Sequence, residues 1–165
     1  MTPERLREIL DYDPLSGTIT KKKSKRVLQP DPDGLVIIFD SQNKRSIKMK
    51  LDRIAYALAF GILPKEDKRV LHKNLNQSDN RLNNLQLVSR QVYLQIKEAY
   101  RNLTTGIRLS AHPTDQFCFV LHWYEDGAER SKILQDVVPA RELQLKLQLK
   151  YSKILTKYCV FDADL

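Results

Sequence analysis

No apolar run in the chain approaches membrane-span length. Runs such as Leu35 to Phe39 are the size of a strand, whereas a spanning helix needs ~20 apolar residues. The N-terminus also lacks the basic, apolar and small-residue layout of a secretory leader. A membrane is therefore not an expected partner. Cysteine is scarce. Cys118 and Cys159 stand far apart, and neither has a companion at metal-ligand spacing. That argues against a zinc site and for two ordinary, partly buried thiols in a reducing cytoplasm. Acidic residues are in deficit, with 20 Asp and Glu against 28 Lys and Arg, for a formal charge of +8. Such a balance favours a polyanionic partner, of which nucleic acid is the commonest. Solvated lysines on an ordinary basic protein would give the same numbers. A length of 165 residues holds one ordinary domain or two very small ones.

Local signals lay out the elements. Thr2-Pro3-Glu4 supplies an N-cap, a proline for the first helical position and an early acid, predicting a helix to about Leu10. Asp13-Pro14 and Ser16-Gly17 mark turns before a short strand at Thr18-Ile19-Thr20. KKKSKR, from Lys21 to Arg26, has five basic residues in six and no apolar partner, so it is expected as an exposed loop or arm. LVIIFD and RSIKMK, with Ser41 to Lys44 between them, read as a hairpin. Leu51, Ile54, Ala55 and Leu58 have helical spacing, and Gly61 and Pro64 close that helix. Val70 to Val88 has apolar ends and an Asn-rich middle, predicting two short strands joined by a structured loop. Ser89 can cap a helix running to about Tyr100.

Asn102 to Gly106 reads as a linker, followed by three strands with a hairpin turn at Glu125-Asp126-Gly127. A last helix opens at Val138-Pro139, with an apolar stripe of Leu143, Leu147, Tyr151 and Ile154 opposite Lys146, Lys150, Lys153 and Lys157. His112, beside Pro113 in a turn, and His122, beside Trp123 in a strand, have no ligand partner at metal spacing and are expected to be structural or surface residues. Trp123 and Tyr124 are expected to pack.

His72, the run Asp79-Asn80-Arg81, then Asn84-Leu85 and Leu87-Val88-Ser89-Arg90 resemble, in residue type and spacing, the core of the HNH homing endonucleases of phages and mobile introns. YDPLSGTIT, from Tyr12 to Thr20, resembles the family's usual opening. Arg53-Ile54-Ala55-Tyr56 resembles the helix ahead of its core, with Asp52 where a His is usual. Thr104-Thr105-Gly106-Ile107, the three strands and the helix resemble an ethylene-response-factor-type DNA-binding domain, with Phe117 where a Trp is common.

The resemblance implies phosphodiester hydrolysis. A neutral His72 would act as general base, a contribution of roughly 10²- to 10⁴-fold. Asn84 would orient the His or support the loop. The implied cofactor is Mg²⁺ or Mn²⁺ if the chain is active, and none otherwise. At the two family ligand positions the chain carries Leu71, which has no lone pair to give, and Tyr93, whose neutral phenol is a poor ligand for a hard cation. Asp79 is the nearest spare carboxylate, although loop hydrogen bonding is the commoner task for an Asp there.

Phosphate or base contacts are expected from Lys21, Lys22, Lys23, Lys25, Arg26 and Arg81, and from Arg108, Arg130 and Lys132 on the C-terminal sheet. The expected fold is α+β. It comprises an HNH-like ββα-metal core (69–100) within a domain at 1–101, preceded by a strand-and-helix segment. A small three-stranded antiparallel sheet with one helix follows at 102–165. Three function classes stay open: a site-directed endonuclease in a host cytoplasm, a double-stranded-DNA binder that no longer cuts, and a module directed at a protein partner.

Overall fold

The computed structural model describes residues 1–111 and 118–159. The turn expected at His112 and Pro113, and the position of Phe117, lie outside the described residues. The chain divides into two compact units, Met1–Arg90 and Gln91–Cys159. The architecture is α+β, with small antiparallel sheets and four α-helices among the described residues.

In the first unit, α1 (Pro3–Ile9) starts where predicted. The Thr2 hydroxyl accepts the Arg5 N–H at 3.3 Å, meeting one of the free donors of a helix start. Leu10 then leaves the helix in extended conformation and opens β1 (Leu10–Tyr12), which pairs antiparallel with β2 (Ile19–Lys21). The residue pattern does not reveal β1, because three residues cannot display an alternation. The strand holds because Leu10 and Ile19 both enter the core.

β3 (Leu35–Asp40) and β4 (Arg45–Lys50) form the expected hairpin, with Val36 and Ile38 buried and Ile37 and Phe39 exposed. α2 (Leu51–Phe60) follows directly and stops at Gly61, whose φ of 69° is left-handed, a conformation open to glycine at little cost. Ile54, Ala55 and Ala57 have no exposed surface, and α2 packs on α1, β1, β4 and β5. β5 (Lys68–His72) pairs antiparallel with β6 (Leu85–Ser89), placing His72 opposite Leu85.

The second unit takes α3 (Arg90–Arg101) from Gln91 onward. Asn102–Gly106, expected as a linker, is instead a wound π-helical turn. Its composition reads as loop, but Asn102 is buried and its amide acts like a strand edge. Asn102 Nδ2 donates to the Tyr124 carbonyl at 2.7 Å, and the Tyr124 N–H donates to Asn102 Oδ1 at 2.8 Å. β7 (Arg108–Ala111), β8 (Phe119–Glu125) and β9 (Ala128–Leu134) form one antiparallel sheet with β8 in the centre. Asp126 and Gly127, with φ of 54° and 79°, make the two-residue turn between β8 and β9, in the geometry that matches strand twist. α4 (Val137–Tyr158) is capped by Asp136, which accepts the Val138 N–H at 3.0 Å. Of its predicted stripe, Tyr151 is buried and Leu143, Leu147 and Ile154 are half-buried, while the four lysines are exposed. No helix among the described residues is long and apolar enough to cross a membrane.

Candidate functional site

His72 ends β5 and is 6 % exposed. A buried imidazole needs a partner, and it finds one in the loop between β5 and β6. His72 Nε2 lies 3.2 Å from Asn80 Oδ1. The other end of that amide reaches the Ser78 carbonyl at 3.5 Å, so the oxygen faces the ring. Nε2–H is therefore the donor, and whenever the ring is neutral its lone pair lies on Nδ1. Asn80 is itself buried. Its backbone carbonyl accepts the Tyr12 hydroxyl at 2.8 Å. Burial, then the nearby Asp13 and Asp79, push the Tyr12 phenol up to about 12, which keeps it a neutral donor at ordinary pH.

Asn84 braces the loop. Its Oδ1 accepts the Asn74 N–H at 2.9 Å, its Nδ2 donates to the Asp79 carbonyl at 2.7 Å, and its own carbonyl accepts the Lys73 N–H at 2.8 Å. The side chain on the imidazole is that of Asn80, not Asn84. In the sequence Asn80 stands out only as part of a motif.

Asp79 is committed to the same loop. Arg81 grips it through two bonds, Nε to Oδ1 at 2.8 Å and Nη2 to Oδ2 at 2.6 Å, and Asn74 Nδ2 donates to Oδ2 at 2.8 Å. The Arg81 guanidinium is the main reason its carboxyl falls to about 2. Asp52, on α2, is a second acid near the imidazole. Burial pushes its carboxyl up, and His72 opposes that shift through space. Asp52 Oδ1 accepts the Arg53 N–H at 2.6 Å.

A hard divalent cation needs several oxygen ligands, mostly charged, and these residues do not fit one. Leu71 is an apolar side chain, 3 % exposed. The Asp79 oxygens are occupied by Arg81 and Asn74, and burial works against charge on Asp52. Among the described residues, no three His, Cys, Asp or Glu side chains group as a metal would require.

The basic residues expected to meet nucleic acid fall into three places. Lys21, Lys22, Lys23, Lys25 and Arg26 are all exposed, but they form a closed loop rather than a loose arm. Lys25 N–H donates to the Lys21 carbonyl at 2.8 Å, and Lys21 N–H to the Arg26 carbonyl at 2.9 Å. Leu28 N–H donates to the Ile19 carbonyl at 2.8 Å. Lys22 and Lys25 also approach Asp11, at 3.6 and 3.8 Å. Arg81 is spent on Asp79. On the C-terminal sheet, Arg108 pairs across to His122 and on to Ser131, whereas Lys132 pairs with Leu121 and Arg130 with Trp123. Side chains alternate between faces along a strand. Arg130 and Lys132 therefore share the face of the fully buried Leu121, and Arg108 lies on the opposite one. Arg108 is also held by Glu129 at 3.1 Å.

The sequence model of the HNH endonuclease family matches residues 50–93. No curated protein and no solved structure matches the chain. The matched segment holds His72, Asn80 and Asn84, and it stops short of the Tyr12 hydroxyl that bonds to Asn80. The segment from α2 to the first turn of α3 is thus similar to the HNH endonuclease family, whose substrates are nucleic acids.

Proposed function

We propose that the chain is a duplex-DNA-binding protein on an HNH endonuclease frame, one that holds DNA without cutting it efficiently. One observation carries this reading. His72 stands as a buried, hydrogen-bonded base beside Leu71, an apolar side chain, and the nearest loop carboxylate is tied to Arg81. The imidazole can take a proton from water through Nδ1. General-base assistance of roughly 10²- to 10⁴-fold is what such a group supplies. Charge on the departing oxygen must also be met, a contribution of several kcal/mol in metal-assisted hydrolysis, and nothing in this donor set anchors a cation to meet it. The formal charge of +8 and the exposed lysine loop favour DNA as the ligand.

The test is a graded series in Mg²⁺ or Mn²⁺. The unmodified chain should nick weakly or not at all. Leu71→Asp with Tyr93→Asn should raise nicking, and adding His72→Ala should abolish what is gained. Leu71 is buried, so the aspartate costs stability, and the variants are compared only after circular dichroism shows them folded. A folded double variant with no gain in nicking would count against the assignment of His72 as base.

A further inference from the structure

We propose that Asn80 is the positioning residue of His72, and that the Tyr12–Gly17 turn, outside the HNH-matched segment, holds Asn80 in place. The inference rests on reading His72 as the base, but it does not require that the chain cleave anything. Three separate contacts join the turn to the loop at Asn80. The Tyr12 hydroxyl donates to the Asn80 carbonyl at 2.8 Å. Two residues further along the loop, the Leu82 N–H donates to the Pro14 carbonyl at 3.0 Å. Between them, Gly17 lies against the backbone itself: a Cβ there would stand 2.6 Å from both the Asn80 carbonyl carbon and the Arg81 nitrogen. No flexible side chain is available to move aside. Gly17 also has φ of 76°, so it is the residue type the turn needs on two independent grounds.

The turn is rigid in its own right. Asp13 accepts the Leu15 N–H at 3.0 Å and the Ser16 hydroxyl at 2.6 Å, and its carbonyl accepts the Gly17 N–H at 2.9 Å. A rigid turn, bonded and packed against the Asn80 backbone, fixes where that side chain starts, and its burial with the bond to the Ser78 carbonyl directs the rest. Together they place Oδ1 on Nε2 of His72, which keeps the proton on Nε2 and the basic lone pair on Nδ1. The family match begins at residue 50. The functional unit around His72 therefore reaches back to Tyr12, into a segment that the match does not cover.

The test reads the His72 ring directly, by ¹⁵N–¹H correlation spectra of the full chain. An imidazole N–H usually exchanges with water too fast to be seen, whereas one that is buried and hydrogen-bonded exchanges slowly. The unmodified chain should show an N–H signal on Nε2 that disappears in His72→Ala, which assigns it. Asn80→Ala should lose the signal while keeping its circular dichroism. Tyr12→Phe and Gly17→Ala should speed its exchange, and if Gly17→Ala does not fold, Tyr12→Phe decides. A proton found on Nδ1, or an Nε2–H signal unchanged in Asn80→Ala or in Tyr12→Phe, would overturn the proposal. DNA binding in EDTA is measured on the same samples. An intact Nε2–H signal with no DNA binding sinks the functional reading and leaves the positioning role standing.

Discussion

Asn80 and Asn84 sit four residues apart in one loop and do different work. Asn84 satisfies the Asn74 N–H and the Asp79 carbonyl, and it is 6 % exposed. Truncating it leaves polar backbone atoms without partners in a place water reaches poorly. Asn84→Ala should therefore cost about 2 kcal/mol of stability, read as a lower urea midpoint at unchanged slope. A midpoint within error of the unmodified chain would show that the loop is braced elsewhere. Asp79 gives a pH signature. Its carboxyl is depressed in the fold to about 2 from an ordinary 3.8. Its contribution is thus complete above the ordinary value and is lost as pH falls from about 4 towards 2. Urea midpoints taken across that window should fall more steeply for the unmodified chain than for Asp79→Asn. Parallel curves would contradict the tight Arg81 grip.

At the scale of elements, the lysine loop and the C-terminal sheet make separate predictions. The loop is closed by its own main-chain bonds, so its charges are held on the surface rather than trailing from it. Replacing Lys21, Lys22, Lys23, Lys25 and Arg26 with Ala should flatten the dependence of DNA affinity on salt, by ~0.9 in slope for each phosphate that these side chains neutralise. An unchanged slope would mean that the loop does not touch DNA. On the sheet, α4 packs over the strands and Leu121 is fully buried, so the opposite face is the one open to a ligand. Arg108→Ala should then change sequence preference in a binding selection, while Arg130→Ala with Lys132→Ala should leave it intact; the reverse result would put DNA on the other side.

Much of this layout was legible from residue patterns. The Thr2 cap, the β3–β4 hairpin and the Gly61 stop each follow from local chemistry that acts over a few residues. What stayed hidden depends on partners far along the chain. β1 is three residues long and exists because Leu10 meets the core. The Asn102 turn looks like loop until Tyr124 supplies its partner. Alternation along β7, β8 and β9 could have separated Arg108 from Lys132 only once the register was known. Likewise, Tyr12 and Asn80 are 68 residues apart, and no periodicity links them.

For the molecule as a whole, the balance of charge and the HNH-type segment point the same way, and the donor set points to a restriction. A basic chain with a surplus of 8 positive charges should find DNA without help from a metal. A held imidazole beside Leu71 should then do little to the DNA it holds. The most direct measurement is nicking of supercoiled DNA by the unmodified chain in Mg²⁺, at protein concentrations that bind the same DNA fully in EDTA. The account predicts bound DNA that stays closed, or is nicked only slowly. Rapid Mg²⁺-dependent nicking that His72→Ala removes would contradict it, and would mean that this donor set anchors a cation after all.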